Sequence, residues 1–76
     1  MPKPGVFHRW ESPDRYYRAG VELDLLGDWA VVQQWGGRHN GMGSHQVVVV
    51  ATEGEGLARL AAVARTRQRH GYQLVG

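Results

Sequence analysis

Residues 25–44, LLGDWAVVQQWGGRHNGMGS, contain the features that decide the fold of this chain. The dipeptide Gly27-Asp28 predicts a turn, and residues 29–35 form an aromatic and β-branched run that is typical of a strand. Four glycines follow within residues 36–44, a density that the interior of a helix or strand rarely tolerates. This stretch therefore predicts a strand that leads into a glycine-rich loop carrying an Arg and a His, with a Trp at the junction.

Further strands are predicted on both sides of this stretch. Residues 15–26 alternate between apolar and polar side chains, which indicates a half-buried strand that pairs with residues 29–35 as a hairpin. The run HQVVVVA at residues 45–51 resumes strand character, so three consecutive antiparallel strands are expected. Residues 6–10 and 72–75 are predicted to form short edge strands.

One helix is predicted after the third of these strands. Thr52 and Glu55 form a capping box, so the helix should begin near Glu53. Its apolar positions recur at helical spacing and form a stripe that must pack on the sheet: Leu57, Leu60, Ala61, Val63 and Ala64. Gly71 is expected to end the helix in a left-handed conformation. The sequence thus predicts an α+β fold, an antiparallel sheet of about four to five strands with one α-helix packed on one face, in a single domain spanning residues 1–76.

Length and composition favour a binding module over an enzyme. A chain of 76 residues has little interior for a substrate pocket, and its 42% hydrophobic and 21% charged residues are typical of a globular domain. It contains no cysteine, so a disulfide framework and thiolate metal sites are excluded. The four histidines are scattered, which predicts no catalytic residues, no metal site and no cofactor. The first ten residues resemble no signal peptide and no segment is apolar enough to cross a bilayer, so a cytoplasmic location with no membrane partner is expected.

Trp35 and the glycine loop behind it are the strongest candidates for a binding site. At the end of its strand, the indole can fold into the core or stand at the rim and stack on a sugar or base, and the sequence leaves both alternatives open. Gly36 and Gly37 would let a ligand approach the backbone closely, and Arg38 and His39 would add positive charge. The loop lacks the spacing of a phosphate-binding P-loop, and for an isolated loop of this type a flexible hairpin connection is the favoured explanation of its glycines.

The densest group of arginines lies at the end of the predicted helix. Arg65 and Arg69 are four residues apart and share a helix face, whereas Arg67 points elsewhere. These side chains complement the helix dipole, which is sufficient reason for their position. If their face adjoined the glycine loop, Arg65 and Arg69 would join Arg38 and His39 in a patch that could displace counterions from a nucleic-acid backbone.

The chain resembles the WGR domain family over nearly its whole length from Tyr16. The resemblance rests on these features: Tyr16-Tyr17, the LLGDW turn at residues 25–29, Gln34-Trp35-Gly36, the glycine loop, the arginine-rich helix end and Gly71-Tyr72. It implies a curved antiparallel sheet with one packed helix and a likeness to small free-standing bacterial members of the family.

In DNA-damage-dependent poly(ADP-ribose) polymerases, the family's signature Trp stacks at a DNA terminus and its signature Arg bonds the backbone. Here Trp35 and Gly36 match the first two signature positions, but the third is Gly37 and the arginine follows as Arg38. A β-bulge could bring Arg38 to the family's position, whereas strict alternation would place it on the opposite side of the sheet.

Two functions of different classes follow from these features. The first is a non-catalytic nucleic-acid-binding module, expected to bind DNA at ends or along the backbone through Trp35, Gly36, Gly37, Arg38, His39, Arg65 and Arg69. The second is a protein-interaction module that docks through the same sheet and loop, an alternative favoured by the mild net charge of +2. A homodimer formed through one of the predicted edge strands is a further expectation.

Overall fold

The computed structural model describes residues 5–39 and 43–76, which form an antiparallel sheet of five strands with one helix packed on it. The strands lie in the order β4-β3-β2-β1-β5. Their bounds, in chain order, are β1 Gly5–Glu11, β2 Arg15–Leu23, β3 Trp29–Gly37, β4 Gly43–Val50, α1 Glu53–Arg69 and β5 Gln73–Leu74. The predicted α+β fold is confirmed.

The alternating pattern of β2 and β3 separates the sheet into a helix face and an open face. Val21 on β2 pairs with Val31 on β3, and both are almost completely buried beneath α1. The adjacent pair, Gly20 on β2 and Val32 on β3, lies on the open face, which α1 does not cover. Because successive strand side chains point to opposite faces, the apolar series on β2 identifies the buried side.

The turn between β2 and β3 is held by the side chain of Asp24. Its Oδ1 accepts hydrogen bonds from the backbone N–H groups of Leu26 at 2.9 Å and Asp28 at 2.8 Å, and Gly27 has a φ of 86°. The predicted turn is confirmed, and the positive φ explains why a glycine stands there. β2 ends at Leu23, so Leu25 and Leu26 belong to the turn.

The helix begins and ends where its capping residues predict. Thr52 Oγ1 accepts a hydrogen bond from the N–H of Glu55 at 3.1 Å, and the Glu55 carboxylate accepts one from the N–H of Ala51 at 3.2 Å. At the other end Gly71, with a φ of 83°, allows the N–H of Tyr72 to reach the carbonyl of Arg67 at 3.0 Å. This Schellman arrangement turns the chain back, so that β5 can pair with β1.

The core lies between α1 and the centre of the sheet. Its buried side chains are Trp10, Ala19, Val21, Val31, Val50 and Leu60. Trp10, on β1, is only 4% exposed and is therefore the tryptophan that the core contains. Gly56 lies directly on Val21, which lets the helix backbone approach the sheet closely.

Two predictions about the strands are corrected by the structure. The glycine pattern predicts a loop that includes residues 36, 37, 43 and 44, but β3 continues through Gly37 and β4 begins at Gly43, with Gly36 and Gly43 paired. The cross-strand partners Tyr16 and Arg15 on β2 hold these glycines in the ladder, which local propensity does not anticipate. The β1 segment was predicted to be an edge strand, but it lies between β2 and β5 in the sheet. Asn40, Gly41 and Met42 of the predicted loop lie outside the described residues.

Candidate nucleic-acid interface

Trp35 lies on the helix face of β3 but outside the core. Its cross-strand partners are Tyr17 on β2 and Ser44 on β4. The rings of Trp35 and Tyr17 are nearly parallel, with centroids 5.9 Å apart and an interplanar angle of 13°. Tyr17 packs against the core, whereas Trp35 is neither in the buried cluster nor among the side chains packed against it. The indole therefore extends the aromatic surface of the core towards the end of the sheet.

Arg67 of α1 completes this aromatic group from above. Its guanidinium carbon lies 4.4 Å from the centre of the Tyr17 ring and 5.2 Å from that of Tyr72. Such cation–π contacts hold the side chain in a defined orientation over the rings. Nε of Arg67 is buried and has no hydrogen-bond partner within the described residues. The side chain thus keeps hydrogen-bonding capacity that its neighbours do not use.

Trp35, Tyr17 and Arg67 border one cleft, which we call the Trp35 cleft. It has a volume of about 310 Å³ and is lined by Arg15, Tyr16, Tyr17, Gln33, Trp35, Gly36, Gln46, Arg67 and Tyr72. The lining combines a flat aromatic surface, two arginines and two glutamine amides. These groups suit a flat, polar and negatively charged ligand.

A second cleft adjoins the first at Trp35. Its volume is about 390 Å³, and its lining consists of Asp14, Arg15, Trp35, Gly36, Gly37, Gly43 and Ser44. Trp35 and Arg15 therefore border both spaces. Because glycines form much of this lining, a ligand stacked on Trp35 could approach the backbone of β3 and β4 closely.

The environment of Tyr17 changes its acidity. Burial raises the pKa of the phenol above its ordinary value of 10.0, and the positive charge of Arg67 acts in the opposite direction. The neighbouring Tyr72 adds a smaller upward contribution. Tyr17 therefore remains a neutral phenol at physiological pH and presents an uncharged ring to the cleft.

Arg38 is bound elsewhere, to the connection between β1 and β2. Its guanidinium donates to the carbonyl of Ser12 at 3.1 Å and forms an ion pair with Glu11 at 3.5 Å, while the backbone N–H of Arg38 donates to the carbonyl of Asp14 at 2.9 Å. Glu11 follows the buried Trp10 on β1 and so lies on the open face. The β2–β3 register is one-to-one through Gly37, without a bulge, so Arg38 and Trp35 lie on opposite sides of the sheet.

The remaining predicted residues are spread around this end of the molecule. Gly36 lines both clefts, Gly37 lines the second, and His39 is exposed just beyond the end of β3. Arg65 and Arg69 are exposed on α1 and each lies two residues from Arg67, about 200° around the helix. Since Arg67 faces the sheet, these two arginines point away from Trp35, and the structure does not bring them to the Trp35 cleft.

Sequence reasoning missed Arg67, Tyr17 and Arg15 as candidate site residues. A signal for Arg67 was present, because it lies seven residues after Leu60 and so continues the stripe that packs on the sheet. Tyr17 belongs to the apolar series of β2 and pairs with Trp35 in the observed register. For Arg15 the sequence carried no signal, since its position beside Trp35 depends on the exact pairing of β2 with β3.

Fold and site together define a small α+β domain with an antiparallel sheet, a single covering helix in the described residues and an aromatic–arginine cleft at one end of the sheet. Compared with known proteins, the chain matches no family model, and no curated protein or solved structure shows significant similarity to it. Residues 5–39 and 43–76 contain no cluster of three or more His, Cys, Asp or Glu side chains arranged to hold a metal ion. The helix that these residues form lacks the length and apolar character needed to span a bilayer.

Proposed function

We propose that the protein is a non-catalytic module that binds nucleic acid, in particular DNA, at ends or along the backbone. The observation that carries this proposal is the position of Trp35, outside the core and in a cleft shared with two arginines. An aromatic surface beside cationic side chains matches the way proteins hold bases and phosphates without reading sequence.

Each part of the Trp35 cleft has a distinct role in this proposal. Trp35 stacks on a base or sugar at a strand end, and Arg15 and Arg67 contact the adjoining phosphates. Gly36 and Gly37 allow the backbone of the nucleic acid to come close to β3. Phosphates further along the strand would meet His39, while Arg38 fixes the β1–β2 connection beneath the site.

The resemblance to the WGR domain supports the same proposal. The resemblance implies an antiparallel sheet with one packed helix, and the described residues form such a sheet and helix. Stacking of the signature Trp on a DNA terminus would be carried over to Trp35. In our proposal Arg15 and Arg67, not Arg38, bind the DNA backbone as the signature Arg does in the family. Both arginines border the cleft that contains Trp35.

Equilibrium binding to three labelled DNA molecules tests the proposal. A blunt-ended duplex, a closed circular duplex and a single strand are titrated at low and moderate salt with the natural protein and with Trp35→Ala, Arg15→Gln and Arg67→Gln. We expect the blunt duplex to bind better than the circle. Trp35→Ala should weaken binding about five-fold or more, since base–aromatic stacking contributes about 1–3 kcal/mol, and each arginine substitution should weaken binding several-fold through the loss of a phosphate contact.

Arg59→Gln is the matched control. Arg59 is an exposed arginine on the same helix that pairs loosely with Glu55 at 3.9 Å, and it lines a different groove. Its substitution removes the same charge away from the Trp35 cleft and should leave binding nearly unchanged. Equal losses for Arg59→Gln and Arg67→Gln would show that only net charge matters, and binding unaffected by Trp35→Ala would contradict the assigned site.

A protein-interaction module is the second candidate, favoured by the exposed turn between β2 and β3. Leu25 and Leu26 are 93% and 87% exposed at adjacent positions, and the formal net charge of the chain is only +2. Exposed apolar side chains beside a sheet are typical of protein contact surfaces. An absence of binding to all three DNA molecules at low salt would favour this function. A search for the protein partner would then use the double variant Leu25→Ser/Leu26→Ser as the negative control, because it lacks the exposed apolar side chains of the turn.

A further inference from the structure

The outer edge of β4 is the longest free strand edge that the described residues contain. β4 spans Gly43–Val50 and is hydrogen-bonded to β3 on one side, while the sheet order gives it no neighbour on the other. In an antiparallel ladder, alternate residues direct their N–H and C=O groups to the same side. About half of the backbone polar groups of β4 therefore point outwards in a regular row.

This edge lacks the features that normally prevent strand pairing. Natural edges are protected by prolines, lysines, bulges or short length. β4 pairs one-to-one with β3 over all eight residues without a bulge, and it contains neither proline nor lysine. At the opposite edge β5 has only two residues, Gln73 and Leu74. The two edges of the sheet thus differ strongly in their capacity to pair.

The side chains of β4 are self-complementary. Residues 46–50, QVVVV, carry no charge, so an antiparallel pair of identical strands brings no like charges together. On the open face Val47 and Val49 are 55% and 62% exposed, although both are β-branched apolar residues that favour a covered sheet. On the helix face an open groove of about 290 Å³ runs beside Val48 and Gln46 and provides space for side chains of an added strand.

We infer that β4 pairs with β4 of a second copy of this chain, so that two sheets join into one of ten strands around a two-fold axis. An antiparallel pair of identical strands satisfies the outward backbone groups of both copies and closes after two chains. Val47 and Val49 of each copy then lie against the valines of the other. This inference is independent of nucleic-acid binding, because Trp35 lies on the neighbouring strand and at the opposite end from the valines.

Sedimentation or light scattering over a range of concentrations measures this association. We expect the mass to rise from the monomer value of 8.5 kDa towards twice that value. Val47→Lys places a charge at the centre of the interface and should return the protein to the monomer, whereas Leu74→Lys, a comparable change at the exposed β5 edge, should not. Circular dichroism of both variants checks that each remains folded.

A cysteine scan provides a second measurement that does not depend on a destabilising change. The chain has no cysteine, so single substitutions at positions 46 to 49 can form a disulfide only between copies. Near the two-fold axis one of these positions should cross-link to itself under mild oxidation, while Leu74→Cys should remain mostly monomeric. A protein that is monomeric at every concentration, a dimer abolished by Leu74→Lys, a dimer unaffected by Val47→Lys, or assemblies larger than two would each overturn the inference.

Discussion

Trp35 and Arg38 are three residues apart in the chain, yet they contact different parts of the molecule. Trp35 stacks on Tyr17 on the helix face, while Arg38 pairs with Glu11 on the open face. The cause is the unbroken alternation of β3 through Gly37. Residues that are neighbours in the sequence motif therefore do not share one surface. The cation on the side of Trp35 is Arg67, which lies over Tyr17, the ring on which Trp35 stacks.

Tyr17 should make stability depend on pH in the alkaline range. Because burial raises its pKa above 10.0 in the folded state, the unfolded chain loses this proton first as the pH rises. The contribution of Tyr17 to the free energy of unfolding is complete below about pH 10 and decreases as the pH rises towards the folded-state pKa. Urea denaturation at several pH values should show a smaller alkaline decrease for Tyr17→Phe than for the natural protein, and identical decreases would contradict the assignment.

Gly20 is required by the ring of Phe7 on the open face. A Cβ at Gly20 would lie 2.1 Å from Cδ1 of Phe7, so the ring would have to leave its position under the guanidinium of Arg18. We expect Gly20→Ala to lower the free energy of unfolding by about 1–3 kcal/mol, the usual cost of overpacking. In a Phe7→Ala background the same change should be neutral or stabilising, since alanine is favoured over glycine in a strand. An equal loss in both backgrounds, measured by urea denaturation, would show that Phe7 is not the cause.

At the level of elements, the helix lies close to the sheet because of one of its two glycines. A Cβ at Gly56 would lie 2.8 Å from Cγ1 of Val21, which is buried and cannot move away, whereas a Cβ at Gly54 meets no atom closer than 3.9 Å. We expect Gly54→Ala to stabilise the protein by about 0.4–1 kcal/mol through its effect on the unfolded chain. Gly56→Ala should destabilise it by about 1 kcal/mol or more. Thermal or urea denaturation gives the comparison, and stabilisation by both changes would mean that the helix tolerates a larger separation from the sheet.

For the whole molecule, the distribution of arginines matters more than the net charge of +2. Arg15 and Arg67 border the Trp35 cleft, while Arg59, Arg65 and Arg69 lie elsewhere on α1. Each phosphate contact to duplex DNA adds about 0.9 to the slope of log affinity against log salt. We therefore expect Arg15→Gln and Arg67→Gln each to reduce that slope by about 0.9, and Arg59→Gln to leave it unchanged. A slope near zero for the natural protein would contradict binding through phosphates.

Elements were more predictable than the site they build. The hairpin turn, the helix start at Thr52 and its end at Gly71 follow from local chemistry, and each is found where the sequence predicts it. The continuation of β3 and β4 through Gly37 and Gly43 was missed because the cross-strand partners, not the glycines themselves, hold these residues in the ladder. The cleft needs contacts between β2, β3 and α1, which lie far apart in the chain.

The sequence alone determined the fold class, because the periods of apolar residues and the capping side chains act over a few residues. The tertiary structure alone decided that Trp10 enters the core, that Trp35 stays outside it, and that Arg67 borders the same cleft as Trp35. Trp10 is buried in the cluster that contains Leu60 of α1, whereas Trp35 lies on β3 towards the end of the sheet, outside that core. Such outcomes depend on strand register and helix placement: a one-residue shift in register moves a strand side chain to the opposite face of the sheet, and a one-residue step along a helix rotates a side chain by about 100°.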